Sequence, residues 1–127
     1  HSHCGAIGAL LDPSSTAELP AMRAWLDYAE ETRQIVTKCY ADLEGEPLLT
    51  AAIEENVLVQ IENLRTMPAV AARLAKGDLG LHGWVYKIET GDVFAYDTDA
   101  EQFFALTEEL VGPASTAARS IAPIHSI

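Results

Sequence analysis

The sequence predicts an α/β protein with more helix than strand, and three observations carry that expectation. Apolar residues recur at three- and four-residue steps through most of the first 77 positions. The period then switches to alternation between residues 84 and 96. At the very start, a small, glycine-containing apolar run comes directly after His1, Ser2, His3 and Cys4.

Each element has its own local cause. Residues 4–11 are small or apolar and predict a short helix, stopped at Asp12-Pro13 because proline disfavours the helical region in the residue before it. Pro20 suits a first helical position, and Leu19, Met22, Leu26 and Ala29 form an apolar stripe, which predicts a second helix over residues 20–38. After the polar link at residues 42–47, Thr50 is a candidate cap for a third helix. Glu54 and Glu55 then stand near its positive end as a solvated pair, and Ile53, Val57, Ile61 and Leu64 form its buried stripe. Pro68 opens a short helix that closes at Gly77. Beyond it, Trp84, Tyr86 and Ile88 alternate with Val85 and Lys87. Thr90-Gly91 supplies a turn, and residues 93–96 make a second strand expected at a sheet edge.

These proportions imply a larger sheet. Two strands are too few to cover so many apolar helix faces, so further strands are expected upstream. A His-x-x-Cys pair leading into a helix is the arrangement expected just past a strand end, the place where open α/β sheets bind their ligands. Residues 1–106 are read as one partial domain. Residues 107–127, rich in Ser, Ala and Pro without a sustained apolar period, are read as a tail loosely held or docked on a partner.

Composition narrows the function classes. The chain has 127 residues, is 49% hydrophobic and carries a net charge of −11. That size supports one globular core. The charge, with no Lys/Arg cluster to offset it, excludes a phosphate-tracking groove, so neither nucleic acid nor an anionic membrane is expected as a partner. No apolar run approaches the ~20 residues that span a bilayer, and residues 1–11 lack the pattern of a signal peptide. Two cysteines, Cys4 and Cys39, make no disulfide framework. A soluble, cytoplasmic protein is the expectation.

His1, His3 and Cys4 place three metal-binding side chains in four positions. Imidazole nitrogen and thiolate sulfur are the donors zinc prefers. A terminal amine with a histidine at position three also wraps Cu(II) or Ni(II) in a square-planar nitrogen set, so incidental binding of those metals stays open.

The stretch HSHCGAIGALL resembles the second zinc-ligand motif of the β-class carbonic anhydrases, a Gly-His-Ser-x-Cys-Gly-Ala segment after a central strand. EENVLVQIENLRTMPAV and LHGWVYKIETGDVFAYD look like that family's later helix and its final strand pair, in the same order. The likeness runs from residue 1 to about residue 106. It implies helices around a mainly parallel sheet whose N-terminal strands are missing here, ending in a strand pair. It also implies the activity of a carbonate dehydratase, reversible hydration of CO2 to bicarbonate, in a homodimer or higher homo-oligomer.

Carried over residue by residue, the resemblance makes His1 and Cys4 two of three protein ligands to a catalytic Zn2+, with Gly5 and Ala6 lining the metal pocket. A Cys2His set leaves a fourth position for water, whose pKa the metal lowers from 15.7 to about 7. His3 falls at the family's variable position and is read as exposed and non-ligating. The family's first motif, Cys-x-Asp-x-Arg, is absent from these residues. Cys39 does not replace it, since it falls after the His-x-x-Cys motif and has no Asp-x-Arg behind it. The expectation is half a site, inactive alone; a non-catalytic assembly module is the alternative. Cys39 is read as a semi-buried thiol and His82 as a structural histidine beneath the hairpin. Trp25, Trp84, Tyr86, Phe103 and Phe104 are read as core or subunit-interface aromatics. Asp92, Asp97 and Asp99 are read as turn and surface carboxylates.

Overall fold

The computed structural model describes residues 1–106, and the tail at 107–127 lies outside the described residues. The chain divides after Val59 into two compact units.

In the first unit, helix α1 (Gly5–Leu11) begins at Cys4, whose carbonyl accepts the Gly8 N–H at 2.9 Å. Ile7 and Leu10 form its buried side. The stop at Asp12-Pro13 is as expected, and the Asp12 carboxylate accepts the Ser14 N–H to start a 3-10 turn, Pro13–Thr16. Helix α2 (Pro20–Leu26) passes through a second 3-10 turn, Asp27–Ala29, into α3 (Glu30–Cys39). Helix α4 (Gly45–Thr66) comes next, its residues 45–59 belonging to this unit. The core of the unit gathers Ile7, Leu10, Leu26, Val36, Ala52, Ile53 and Val59. Two polar bonds tie α3 to α4: fully buried Thr32 donates its hydroxyl to Asn56 Oδ1 at 3.2 Å, and Tyr40 donates to Glu55 Oε1 at 2.6 Å.

In the second unit, α5 (Pro68–Lys76) ends as expected at Gly77, which takes φ 72°, a left-handed cap that costs a glycine little. Strands β1 (Trp84–Tyr86), β2 (Val93–Asp97) and β3 (Gln102–Ala105) form an antiparallel sheet in the order β1-β2-β3. The β1–β2 turn closes at Gly91 (φ 79°), with the Lys87 N–H donating to the Asp92 carbonyl and the Gly91 N–H to that of Lys87, both at 2.8 Å. Trp84, Ala95 and Phe104 stand directly opposite one another, so they share one face of the sheet.

Several expectations change. The helix anticipated over residues 20–38 is two helices around a 3-10 turn, with Leu26 buried before the turn and Thr32 and Val36 buried after it, while Leu19, ahead of α2, is exposed. Helix α4 starts at Gly45 rather than after Thr50, because Pro47 is compatible with a first helical turn. Glu46 is therefore its first-turn acid, and Glu54 and Glu55 lie well inside it. The solvated pair is overturned: Glu55 accepts the Tyr40 hydroxyl, and burial, then the Glu55 charge, pushes the Glu54 carboxyl up. Its buried residues occupy more than one face (Ala52, Ile53, Val59, Ile61), while Leu64 is exposed.

A third strand makes β2 central rather than an edge. The turn before it is built by Asp97 Oδ1, which accepts the N–H groups of Asp99 and Ala100. Cys39 and His82 are exposed, not semi-buried or covered. Trp25, Trp84, Tyr86 and Phe104 are exposed as well, and Phe103 stacks at a tilt on Tyr96, ring centroids 5.2 Å apart. No parallel strand pair occurs among the described residues.

Candidate metal centre

The candidate metal-binding side chains sit on the turn that leads into α1. Residues 2 and 3 form the turn, His3 takes a left-handed φ of 53°, and Cys4 stands at the helix cap position. Packing of Ile7 and Leu10 anchors the helix below them. His1 is exposed, and Cys4 is half-buried with an unpaired thiol.

The His1 ring carries the detail that bears on a metal. Its Nδ1 lies 2.8 Å from the Ser2 carbonyl oxygen, a bond it makes by donating. That bond assigns the proton to Nδ1 and leaves Nε2 as the nitrogen with a lone pair for a cation. Metal-binding histidines are commonly oriented in this way through their other N–H.

Gly5 is exposed in the first turn of α1, and a Cβ there meets nothing within 4 Å; Ala6 beside it is half-buried. Near the other end of the helix a cavity of about 290 Å³ opens, lined by Leu10, Thr16, Arg23, Leu26, Glu30 and Arg33. Arg33 grips Glu30 there with two bonds, Nε to Oε2 at 2.8 Å and Nη2 to Oε1 at 2.6 Å. The Arg33 hydrogen bonds, with one from Gln34, hold the Glu30 carboxyl down at about 2.

Zinc asks for N and S donors, and a catalytic site takes three of them from the protein. His1 and Cys4 fit in kind and fill two positions. No group of three or more His, Cys, Asp or Glu side chains able to hold a metal occurs among the described residues, so His3 does not complete the set. Its Nδ1 instead lies 3.5 Å from Glu46 Oε2. Sequence reasoning overlooked Glu46, because nothing in a polar link announces which distant loop it will face.

A carbonic anhydrase family profile matches residues 1–93. The solved structure of the β-carbonic anhydrase CcaA matches with a TM-score of 0.81 and 50% identity, over 84% of this chain and 52% of that one. The chain belongs to the β-carbonic anhydrase family. Among its relatives, a Synechocystis carbonic anhydrase is 50% identical over 106 residues, covering 83% of this chain and 39% of the relative. One from Pseudomonas aeruginosa is 41% identical over 108 residues, covering 85% and 49%. Carbonic anhydrase 1 of Escherichia coli is 38% identical over 107 residues, covering 84% and 48%. The chain thus spans less than half the length of these curated relatives. The His-x-x-Cys turn, α1 and β1 all lie inside the profile match.

Proposed function

We propose that this chain contributes His1 and Cys4 to a Zn2+ centre that hydrates CO2 reversibly to bicarbonate in the complete protein. The observation that carries the reading is the His1-x-x-Cys4 turn at the head of α1, inside a family match over residues 1–93. His1 binds through Nε2, steered by the Nδ1 bond to the Ser2 carbonyl. Cys4 binds as thiolate, fixed in place because its backbone starts α1. Gly5 and Ala6 leave space beside the metal for a small neutral substrate. Zinc, when bound, makes water a usable nucleophile near neutral pH.

The remaining protein donor and the Asp and Arg of a Cys-x-Asp-x-Arg motif come, in this proposal, from sequence outside these 127 residues. The limited share of the relatives that the chain covers supports that view. The complete protein is proposed to be a cytoplasmic homodimer or higher homo-oligomer, and the exposed sheet face of Trp84, Tyr86 and Phe104 supports a subunit contact. A second reading, an assembly module without turnover, draws on the presence of only two zinc donors on the α1 turn.

Stopped-flow CO2 hydration with a pH indicator, run beside zinc analysis, tests the proposal. The 127-residue chain alone is expected to show no turnover above background and little zinc. The chain joined to an upstream segment with the first motif is expected to turn over, and Cys4→Ser is expected to abolish that activity. An active Cys4→Ser variant overturns the site. A joined chain that binds zinc without turnover favours the assembly module, and Cu(II) uptake lost in His3→Ala without zinc uptake favours incidental binding.

A further inference from the structure

The turn that bears His1 and Cys4 includes one residue, His3, in a backbone conformation uncommon for residues other than glycine. Left-handed backbone brings a Cβ against the carbonyl oxygen, so residues other than glycine enter it with difficulty; Asn, Asp and His do so more often than most. His3 is there at φ 53°. A contact from elsewhere in the fold explains how the turn keeps that shape.

Glu46 provides it. Its Oε2 lies 3.5 Å from His3 Nδ1, reached from the first turn of α4. The neighbouring Gly45, also left-handed at φ 60°, turns the chain into that helix and so sets where Glu46 stands. As the first-turn acid of a 22-residue helix, Glu46 is also favoured there by the positive helix end. We propose that Glu46 is a positioning residue for the His1–Cys4 donor pair, acting through His3 to hold the left-handed turn between them. The proposal rests on the reading of His1 and Cys4 as metal donors.

The contact is exposed, with 49% of the His3 and 70% of the Glu46 side chain open to solvent. Its effect is therefore modest and sensitive to salt. An exposed pair of this kind corresponds to at most about a fivefold change in an equilibrium. Because Glu46 is not part of the core, its replacement leaves the fold intact.

The test uses the whole 127-residue chain in two arms. In the metal-free arm, the three-bond HN–Hα coupling and the Cα shift of His3 report its φ by NMR. Glu46→Ala is expected to move both toward extended values, and Glu46→Gln, whose amide still reaches the imidazole, to move them less. In the metal arm, Co(II) is titrated to high excess, as a site with two protein donors requires, and the thiolate-to-cobalt absorption of Cys4 is monitored. Glu46→Ala is expected to weaken Co(II) about two- to fivefold at low salt and hardly at all at high salt. The thermal midpoint should fall by no more than a few degrees. In the Glu46→Ala, His3→Gly double variant the losses should not add, since both act on one contact.

Unchanged His3 couplings in Glu46→Ala overturn the proposal, as does a Co(II) affinity equal to that of a wild type that shows the Cys4 absorption. Co(II) absorption that survives Cys4→Ser instead overturns the metal reading of Cys4. In that case the His3 couplings still decide whether Glu46 shapes the turn.

Discussion

Truncating the two buried residues of α1 should have unequal effects, although each loses the same number of carbons. Ile7 and Leu10 are both almost fully buried, but Leu10 also lines the cavity of about 290 Å³ beside Arg23, Glu30 and Arg33. Replacing either by Ala removes about three carbons, roughly 0.8 kcal/mol each, or about 2.4 kcal/mol of transfer free energy. Ile7 does not line that cavity, so the space left at Ile7 does not open into it. At ~24 cal/mol per Å³ over roughly 50 Å³, that space adds about 1.2 kcal/mol, for about 3.6 kcal/mol in all.

At Leu10 the new space joins a cleft whose charged lining keeps it wet, so little cavity cost is added and Leu10→Ala should stay near about 2.4 kcal/mol. Urea unfolding of both variants, at one protein concentration and read by far-UV circular dichroism, measures the difference. A Leu10→Ala loss equal to or larger than that of Ile7→Ala refutes the reasoning, since it makes the cleft dry and closed. The comparison bears on function because α1 carries Cys4 at its head, and a loosened α1 releases the donor turn.

The Glu30 carboxyl, held at about 2 against an ordinary 4.5, stabilises the fold above the unfolded value and loses that contribution as pH falls from about 4.5 toward 2. In Arg33→Gln, carbon-detected NMR titration should find Glu30 raised toward its ordinary value, short of it because Gln34 still donates, and the acid limb of stability flattened; an unmoved Glu30 refutes the assignment to Arg33. The exposed Trp84, Tyr86 and Phe104 face should make the chain self-associate, seen by size-exclusion chromatography with light scattering and reduced by Trp84→Lys. A compact wild-type monomer contradicts this.

Much of the candidate site was legible in the sequence because its cause is local. The His1-x-x-Cys4 spacing, the start of α1 and its stop at Asp12-Pro13 depend on neighbours within a few positions. Pro20, Pro68 and Gly77 likewise mark helix ends through the backbone geometry of proline and glycine themselves. The turn at Thr90-Gly91 and the strands beside it arise from the same short-range chemistry.

Tertiary structure decided whatever depends on residues distant in the chain. Glu54 and Glu55 changed from a solvated pair to a half-buried one because Tyr40, just past the end of α3, donates to Glu55. Thr32 is buried because Asn56 receives its hydroxyl proton. A 3-10 turn divides the expected second helix into α2 and α3, and β3 turned an edge strand into a central one. Glu46 meets His3 only once α4 has begun at Gly45. Periodicity and turn chemistry act over a few residues, whereas burial and partner choice are settled by what the folded chain brings alongside. The sequence therefore determined which side chains are candidates for metal chemistry, and the fold determined what surrounds and orients them.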